Sequence, residues 1–424
     1  MAIDFPATPS NGQTFVVGSV TYTYDGTKWT AVAAGGGSLS PGSARQLLQT
    51  NAAGTATEWT SDVDVQGTFA VKGTPYPSAG SLSNRNKIIN GDMRIDQRND
   101  GAAITSNGGF PVDRWKAYYA GGGVYSGQRS TTTPAGFVNS LLLTVTTADS
   151  SIAATDNYLI RHNVEGFNVD DLAWGTASAK SVTLSFWVRS SVTGTYGGSL
   201  TNHAENRSYP FSYTISAADT FEYKTITIPG ETTGTWLTNN SRGVVVHFAL
   251  GMGSTYSGTA GAWASTLYFS STGATNWIAT NGATFYLTGV QLEVGEVATP
   301  FEHRSYGDEL ARCQRYYYKA QATGASSSWG MGYVQTTTQA RFIQKFPVEM
   351  RDEPTALEQS GTAGDYRVYH QFTSTTCSSV PTYFYADTWE AQTNFIVSSG
   401  LTVGDGAIAR AVNSNAYLAW SAEL

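Results

Sequence analysis

Ser181-Val182-Thr183-Leu184-Ser185-Phe186-Trp187-Val188-Arg189 sets Val182, Leu184, Phe186 and Val188 on one side of an extended chain. A period of two over nine residues is the pattern of a half-buried β-strand with one face turned to a core. Comparable runs recur at 221–228, 243–250, 264–270 and 283–294, with Gly, Asn, Ser and Thr turns between them. Strands at such regular spacing predict an antiparallel β-sandwich of jelly-roll type.

Working outward, one helix is predicted over 305–319. Ser305 can cap its start with Asp308 three residues on, and Tyr306, Leu310, Cys313 and Tyr317 recur on one face. Strand patterns return at 339–347, 366–372, 383–385, 394–397 and 416–422, which reads as a second, smaller β-domain. At the other end, Phe15-Val16-Val17, Thr21-Tyr22-Thr23-Tyr24, the Asp25-Gly26 turn and Lys28-Trp29-Thr30-Ala31-Val32 read as a small β unit. So few residues bury too little surface to stand alone, so the unit is expected to attach to a partner through Phe15, Tyr22, Tyr24 and Trp29. Gly35-Gly36-Gly37-Ser38 opens a linker or stalk, and no heptad repeat follows Leu47 and Leu48. The chain is thus read as an all-β, multi-domain protein: an N-terminal module at 1–34, a Gly/Ser/Thr-rich linker at 35–83, a jelly-roll sandwich with its closing helix at 84–319, and a C-terminal β-domain at 320–424.

Composition supports that reading. Of 424 residues only 13% are charged, against about 25% in an average domain, while 45 are Gly, 24 Tyr and 11 Trp. A net charge of −7 with scattered basic residues disfavours nucleic-acid binding. No apolar run approaches the ~18 residues of a membrane span, and the first ten residues lack a signal-peptide pattern. Cys313 and Cys377 stand far apart with no metal-ligand spacing, and are expected to be reduced, buried thiols.

The chemistry-bearing residues are dispersed. Polysaccharide cleavage needs two carboxylates flanking the scissile bond, yet the acids sit singly or beside basic residues, and the adjacent pair Asp170-Asp171 would point apart on a strand. His162, His203, His247, His303 and His370 show no ligand spacing, and no Gly-x-Ser-x-Gly elbow is present. Asp92 and Glu293 could offer oxygen ligands to a structural calcium, but no dedicated calcium loop surrounds them. No cofactor, metal or catalytic residue is therefore expected. Sugar binding is better motivated, because flat rings stack on sugar faces. Trp236, Tyr256, Trp263 and Trp277 lie in Gly/Ser/Thr/Asn-rich stretches, with Trp329, Tyr383, Tyr385 and Trp389 of similar standing further on. The competing role for each is closing a core or a subunit interface.

Several stretches resemble those of phage tail-fibre proteins, especially of cyanophages and other marine phages. Phe5-Pro6-Ala7-Thr8-Pro9 with Tyr22-Thr23-Tyr24-Asp25-Gly26-Thr27-Lys28-Trp29 is similar to a short module that begins many of them. The most specific block, Asn86-Lys87-Ile88-Ile89-Asn90-Gly91-Asp92-Met93-Arg94-Ile95-Asp96-Gln97-Arg98 with Asp113-Arg114-Trp115, resembles the opening of a jelly-roll, carbohydrate-binding-module-like domain in phage tail proteins. Gln291-Leu292-Glu293-Val294-Gly295 and Ala298-Thr299-Pro300-Phe301-Glu302-His303-Arg304-Ser305, running into Glu309-Leu310-Ala311-Arg312-Cys313-Gln314-Arg315-Tyr316-Tyr317, resemble its close. Phe346-Pro347-Val348-Glu349-Met350-Arg351-Asp352-Glu353-Pro354-Thr355 and the terminal Ala422-Glu423-Leu424 look like fibre-protein endings.

The resemblance implies a non-enzymatic virion part, made in the host cytoplasm and commonly homotrimeric. It would dock to tail, baseplate or adaptor proteins through its N-terminal module and meet host cell-surface polysaccharide. The other readings are a purely structural tail subunit, a polysaccharide-degrading tail spike, and a cellular carbohydrate-binding module.

Overall fold

The computed structural model describes residues 5–18, 20–33 and 83–424, and the backbone of short strands at 47–50, 57–60, 70–71 and 74–75. Contacts divide the chain into two units, 1–68 and 69–424. The stalk expected at 35–83 lies outside the described residues apart from those four strands, which pair as two small hairpins.

In the first unit β1 (Thr14–Val17), β2 (Val20–Tyr24) and β3 (Trp29–Ala33) form an antiparallel meander. The Asp25 carboxylate accepts hydrogen bonds from the Thr27 hydroxyl and from the Thr27 and Lys28 amides at 2.7–2.9 Å, which hold its pKa down to about 2. Gly26 supplies the φ of +96° that this turn needs. Phe5 stacks on Trp29 at 5.1 Å and meets Tyr22 and Phe15 edge-on or tilted.

The sandwich holds ten strands: β4 (Trp115–Ala120), β5 (Val124–Ser130), β6 (Ser140–Thr147), β7 (Asn157–Glu165), β8 (Val182–Ser190), β9 (Gly194–Asn202), β10 (Ser208–Ile215), β11 (Glu222–Ile228), β12 (Arg242–Met252) and β13 (Thr284–Val294). They make two five-stranded antiparallel sheets, ordered β11-β8-β13-β6-β5 and β10-β9-β12-β7-β4. The jelly-roll, all-β reading therefore holds. Val182, Leu184, Phe186 and Val188 are fully buried, and Phe186 meets Phe248 of the facing sheet edge-on at 5.0 Å.

The expected exposure of the other face of β8 is corrected, since Thr183 and Ser185 are buried as well. The chain leaving β13 folds back over that face, and Gly295 O accepts a hydrogen bond from the Thr183 hydroxyl. The strand expected at 264–270 is largely a loop. Ala264 makes a single antiparallel bridge to Ser208, and Ser270–Ser271 pairs, in parallel, with Ser257–Gly258. The apolar residues of that stretch, Leu267 and Phe269, pack with Tyr256 on Leu159, Ala249 and Met252 at the outside of the second sheet. Asp170 and Asp171 lie in a 3-10 turn rather than a strand, with Asp171 bound by Lys87 at 2.8 Å.

Helix α1 (Tyr306–Gln314) starts where expected, the Ser305 hydroxyl accepting from the Asp308 amide at 3.2 Å. It ends five residues before 319. Arg315 and Tyr316 are drawn to Glu165, and Tyr317–Gln321 leaves as strand β14, paired with the last strand of the chain. The C-terminal part continues with β15 (Ser328–Thr336), β16 (Gln339–Lys345), β17 (Glu358–Gln359), β18 (Tyr366–His370), β19 (Thr373–Thr376), β20 (Thr382–Ala386), β21 (Glu390–Ile396), β22 (Gly406–Ala411) and β23 (Tyr417–Ser421). A three-stranded sheet, β14-β23-β17, and a seven-stranded sheet, β19-β18-β22-β15-β16-β21-β20, enclose a second core around Phe342, Tyr366, Phe395 and Trp420. Both cysteines are free and buried, and burial pushes the Cys377 thiol up to about 12. Among the described residues no helix is long and apolar enough to cross a membrane.

Candidate functional site

On the outer face of the first sheet lies a groove of about 570 Å³. Its floor comes from β8 and β11, where Trp187 and Tyr223 are directly opposed in register with ring centroids 5.3 Å apart. A shift in the β8–β13 pairing between Ser185 and Trp187 marks the same place. The opposite wall is a second aromatic cluster: Phe137 lies 5.2 Å from Phe301 and 5.4 Å from His303, and those two are 4.9 Å apart.

Gly289 makes this arrangement possible. A side-chain carbon there would come within 2.6 Å of the Phe137 ring and 3.1 Å of the Trp187 ring, and its φ is +61°. Ser185, Thr299 and His303 supply the polar edge. Burial, then the nearby Arg94 charge, lowers the His303 pKa, so at neutral pH its imidazole offers one donor and one acceptor. Two ring clusters facing each other across such a space, edged with small polar groups, can hold a flat, partly apolar and hydroxyl-rich ligand.

The residues singled out in the sequence are dispersed elsewhere. Trp277 is corrected outright: it is fully buried, edge-on to Tyr125 in the sandwich core, and has no surface for a ligand. Trp236 and Trp263 are half-buried and close a cluster with Trp174, with centroids 4.7–5.5 Å apart. Their indole N–H groups are spent on Thr233 O and Pro229 O, and the hollow beside Trp236 holds only about 30 Å³. Tyr256 packs on Phe269. Trp329 and Tyr383 lean on the C-terminal core, while Tyr385 and Trp389 are about half exposed. Phe15, Tyr22, Tyr24 and Trp29 are all half-buried in the N-terminal unit.

Trp187 could have been found, because the alternation that buries Phe186 and Val188 puts Trp187 on the other face. Phe137 and Phe301 carry no such signal, since only the folded chain brings positions 137 and 301 together.

The two carboxylates considered for calcium are otherwise engaged. Glu293 accepts from the Thr299 amide, the Thr299 hydroxyl and the Gln291 side chain at 2.6–2.8 Å. Asp92 sits near Arg94, and burial, reinforced by the Glu309 charge, pushes its carboxyl up to about 6. No group of three potential ligands able to hold a metal occurs among the described residues.

The raised Asp92 pKa carries a sign. The folded chain keeps the proton up to about pH 6, whereas the unfolded chain releases it near 3.8. The protonated form therefore contributes stability in full below 3.8, and this is lost as pH rises through 6. Asp92→Asn is expected to raise stability at pH 8 by up to about 3 kcal/mol and to leave it unchanged at pH 3.5. Urea unfolding at both values checks this, and equal stability of variant and parent at pH 8 refutes it.

No protein-family profile matches the chain, and no curated protein resembles it. Solved structures give partial likenesses. The enzymatically active domain of tailspike protein 4 from bacteriophage CBA120 is 13% identical over 52% of this chain, with a TM-score of 0.28, and the match spans only 24% of that protein. A family 11 carbohydrate-binding module from Clostridium thermocellum, solved with a mixed-linked tetrasaccharide, is 13% identical over 47% of this chain and 98% of its own, at 0.25. A putative sugar binding protein from Bacteroides thetaiotaomicron is 11% identical over 50% of this chain and all of its own, at 0.30.

Proposed function

We propose that this chain is a non-catalytic structural subunit of a bacteriophage tail, a fibre-type protein that binds glycan on the host surface. The observation carrying the binding role is the groove in which Trp187 and Tyr223 face Phe137, Phe301 and His303. Aromatic platforms with a thin polar edge suit the alternating apolar faces and hydroxyl rims of sugars. Among the described residues the groove's lining includes no carboxylate, so this reading assigns it to binding rather than to the paired-acid chemistry of glycoside hydrolysis.

In the same reading the N-terminal unit is the docking module. Its three short strands bury a single aromatic cluster around Phe5 and Trp29, and a unit of that size gains stability from a partner. Tail, baseplate or adaptor proteins are that partner, and a homotrimer would multiply weak glycan contacts through avidity.

The test is saturable binding of the purified full-length chain to host cells, before and after enzymatic removal of surface polysaccharide, with Trp187→Ala alongside. Loss of one fully used ring is expected to weaken binding about 10- to 150-fold, following about 1.5–3 kcal/mol of apolar contact. Binding that survives polysaccharide removal refutes the glycan reading, binding lost with the polysaccharide but unchanged in Trp187→Ala removes this groove from it, and no binding at any achievable concentration leaves a purely structural tail subunit.

A further inference from the structure

The outer face of the seven-stranded sheet in the C-terminal part carries an apolar row that its core does not use. Strand register sets Tyr369 beside Ile408, Ile408 beside Met331, and Met331 beside Ile343, across β18, β22, β15 and β16. Met331 is 76% exposed. At one end of the row β18 and β19 are joined by a two-residue turn, Gln371-Phe372, with φ of +45° and +63°. Hairpin turns of this hand favour Asn and Gly, and a bulky residue held there costs about 1–3 kcal/mol. Phe372 is nonetheless 94% exposed, and with Met331, Tyr369 and Ile408 it lines an open groove of about 330 Å³.

Charge decides what that row can take. Arg367 and Arg410 lie directly opposite each other on β18 and β22, a like-charge placement that destabilises a sheet. Arg410 is laid on the Tyr369 ring at 3.8 Å, and Arg341 of β16 on the Phe384 ring at 3.3 Å. Among the described residues none of the three guanidinium groups has a carboxylate partner, and the Nε atoms of Arg367 and Arg410 have no acceptor. Glu390, on the same face, is already paired with Lys345. A second copy packed on this face by a two-fold axis would set arginine against arginine, so self-association does not relieve it.

We infer that this face binds a polysaccharide bearing anionic groups, carboxylate or sulfate, with sugar faces on Tyr369 and Phe372 and anions on Arg367, Arg410 and Arg341. The Arg410 and Arg341 planes are already held against rings; Arg341 Nε donates to Asn394 Oδ1 at 3.1 Å and Arg367 Nη2 to the Ser326 hydroxyl at 2.6 Å, which leaves terminal Nη groups for anion contact. Arg410 and Arg341 stand on strands two places apart in the sheet, and the register sets Arg341 level with Gly406, four residues along β22 from Arg410, so about 16 Å separates them at the usual strand spacing and rise. Charges that recur along an extended ligand meet both. The site is separate from the sandwich groove and does not depend on it.

The test measures binding of full-length protein to polygalacturonate, dextran sulfate, neutral dextran and poly-L-glutamate by affinity electrophoresis and calorimetry, with Arg367→Gln/Arg410→Gln and Trp187→Ala as variants. Expected is binding to at least one of the two anionic polysaccharides that weakens with salt, falls at least tenfold in the double arginine variant, and persists in Trp187→Ala. The preferred probe then tells carboxylate from sulfate. The double variant should melt no lower than the parent, because it removes a like-charge pair, and that separates lost binding from lost fold. Failure to bind either anionic polysaccharide, equal binding of dextran, tighter binding of poly-L-glutamate, or an unaffected double variant overturns the inference.

Discussion

Glu423→Ala should cost about 3–5 kcal/mol of stability, the usual loss when a buried ion pair is broken from one side. Its partner Arg114 has a side chain only 1% exposed, and that guanidinium also donates to Asn163 O at 2.6 Å and lies on the Tyr316 ring at 3.5 Å. Glu423 pairs with Arg98 as well, at 3.4 Å. The second residue from the end of the chain thus neutralises a charge planted beside the sandwich core, where water cannot replace it. Its neighbours fix the same return of the chain, with the Asn163 side chain donating to Leu424 O at 2.7 Å and Arg351 donating to Ala422 O at 2.6 Å. Urea unfolding followed by tryptophan fluorescence measures the effect. A midpoint within error of the parent would show that Arg114 finds another partner and that the terminal residues are dispensable to the fold.

How much of this was legible in the sequence follows from which forces are local. Alternation along a strand is local, and Val182 to Val188 announced both the strand and its buried face. Helix α1 announced its start through Ser305, because a cap is local too. Its end was misread because Tyr317 continues the helical apolar period, while the deciding interaction comes from Glu165, which lies 150 residues from Arg315 and accepts its guanidinium at 2.6 and 2.9 Å. The aromatic candidates failed in the same way. Gly, Ser and Thr around Trp277 describe a loop correctly, but a loop residue can still turn inward, and Trp277 does so in a 3-10 turn above the core. Exposure of a ring is settled by what folds over it.

The opening and closing blocks quoted from the sequence prove to be one interlocked structure. The Lys87 amide donates to Leu292 O and the Val290 amide to Gly91 O, so 87–91 runs beside the far half of β13. Val290 O would lie 2.2 Å from any side-chain carbon at position 91, which explains why glycine stands there. The Gln291 side-chain oxygen Oε1 accepts from the Glu302 backbone amide, and the Glu302 carboxylate in turn accepts from the Asn86 backbone amide at 3.0 Å. Residues about 200 positions apart thus satisfy one another's polar groups, and neither block can be placed without the other.

Glu309→Ala is the substitution that tests this interlock most directly, with an expected loss of about 3–5 kcal/mol. Glu309 is 5% exposed, accepts from the buried Asn90 amide, and lies 3.2 Å from the Arg304 guanidinium. Arg304 also donates to Ile88 O at 3.0 Å and to Asn86 O, so the carboxylate ties helix α1 to both blocks through one cation. Alanine leaves the Asn90 amide without its acceptor and takes from the buried Arg304 guanidinium one of its two carboxylates, the other being Glu302 at 3.5 Å, and the unpaired amide carries its full desolvation cost. Glu309→Gln keeps the amide's acceptor but not the charge, so it should fall between parent and alanine. Removing the Glu309 charge also removes one cause of the raised Asp92 pKa. Both variants should therefore show a shallower loss of stability as pH rises from 4 to 8. Denaturation of the three proteins across that range gives the answer. Equal stability of parent and alanine variant would mean that the two blocks hold together through β13 pairing alone; a graded loss with the flattened pH profile would place the interlock in the carboxylate.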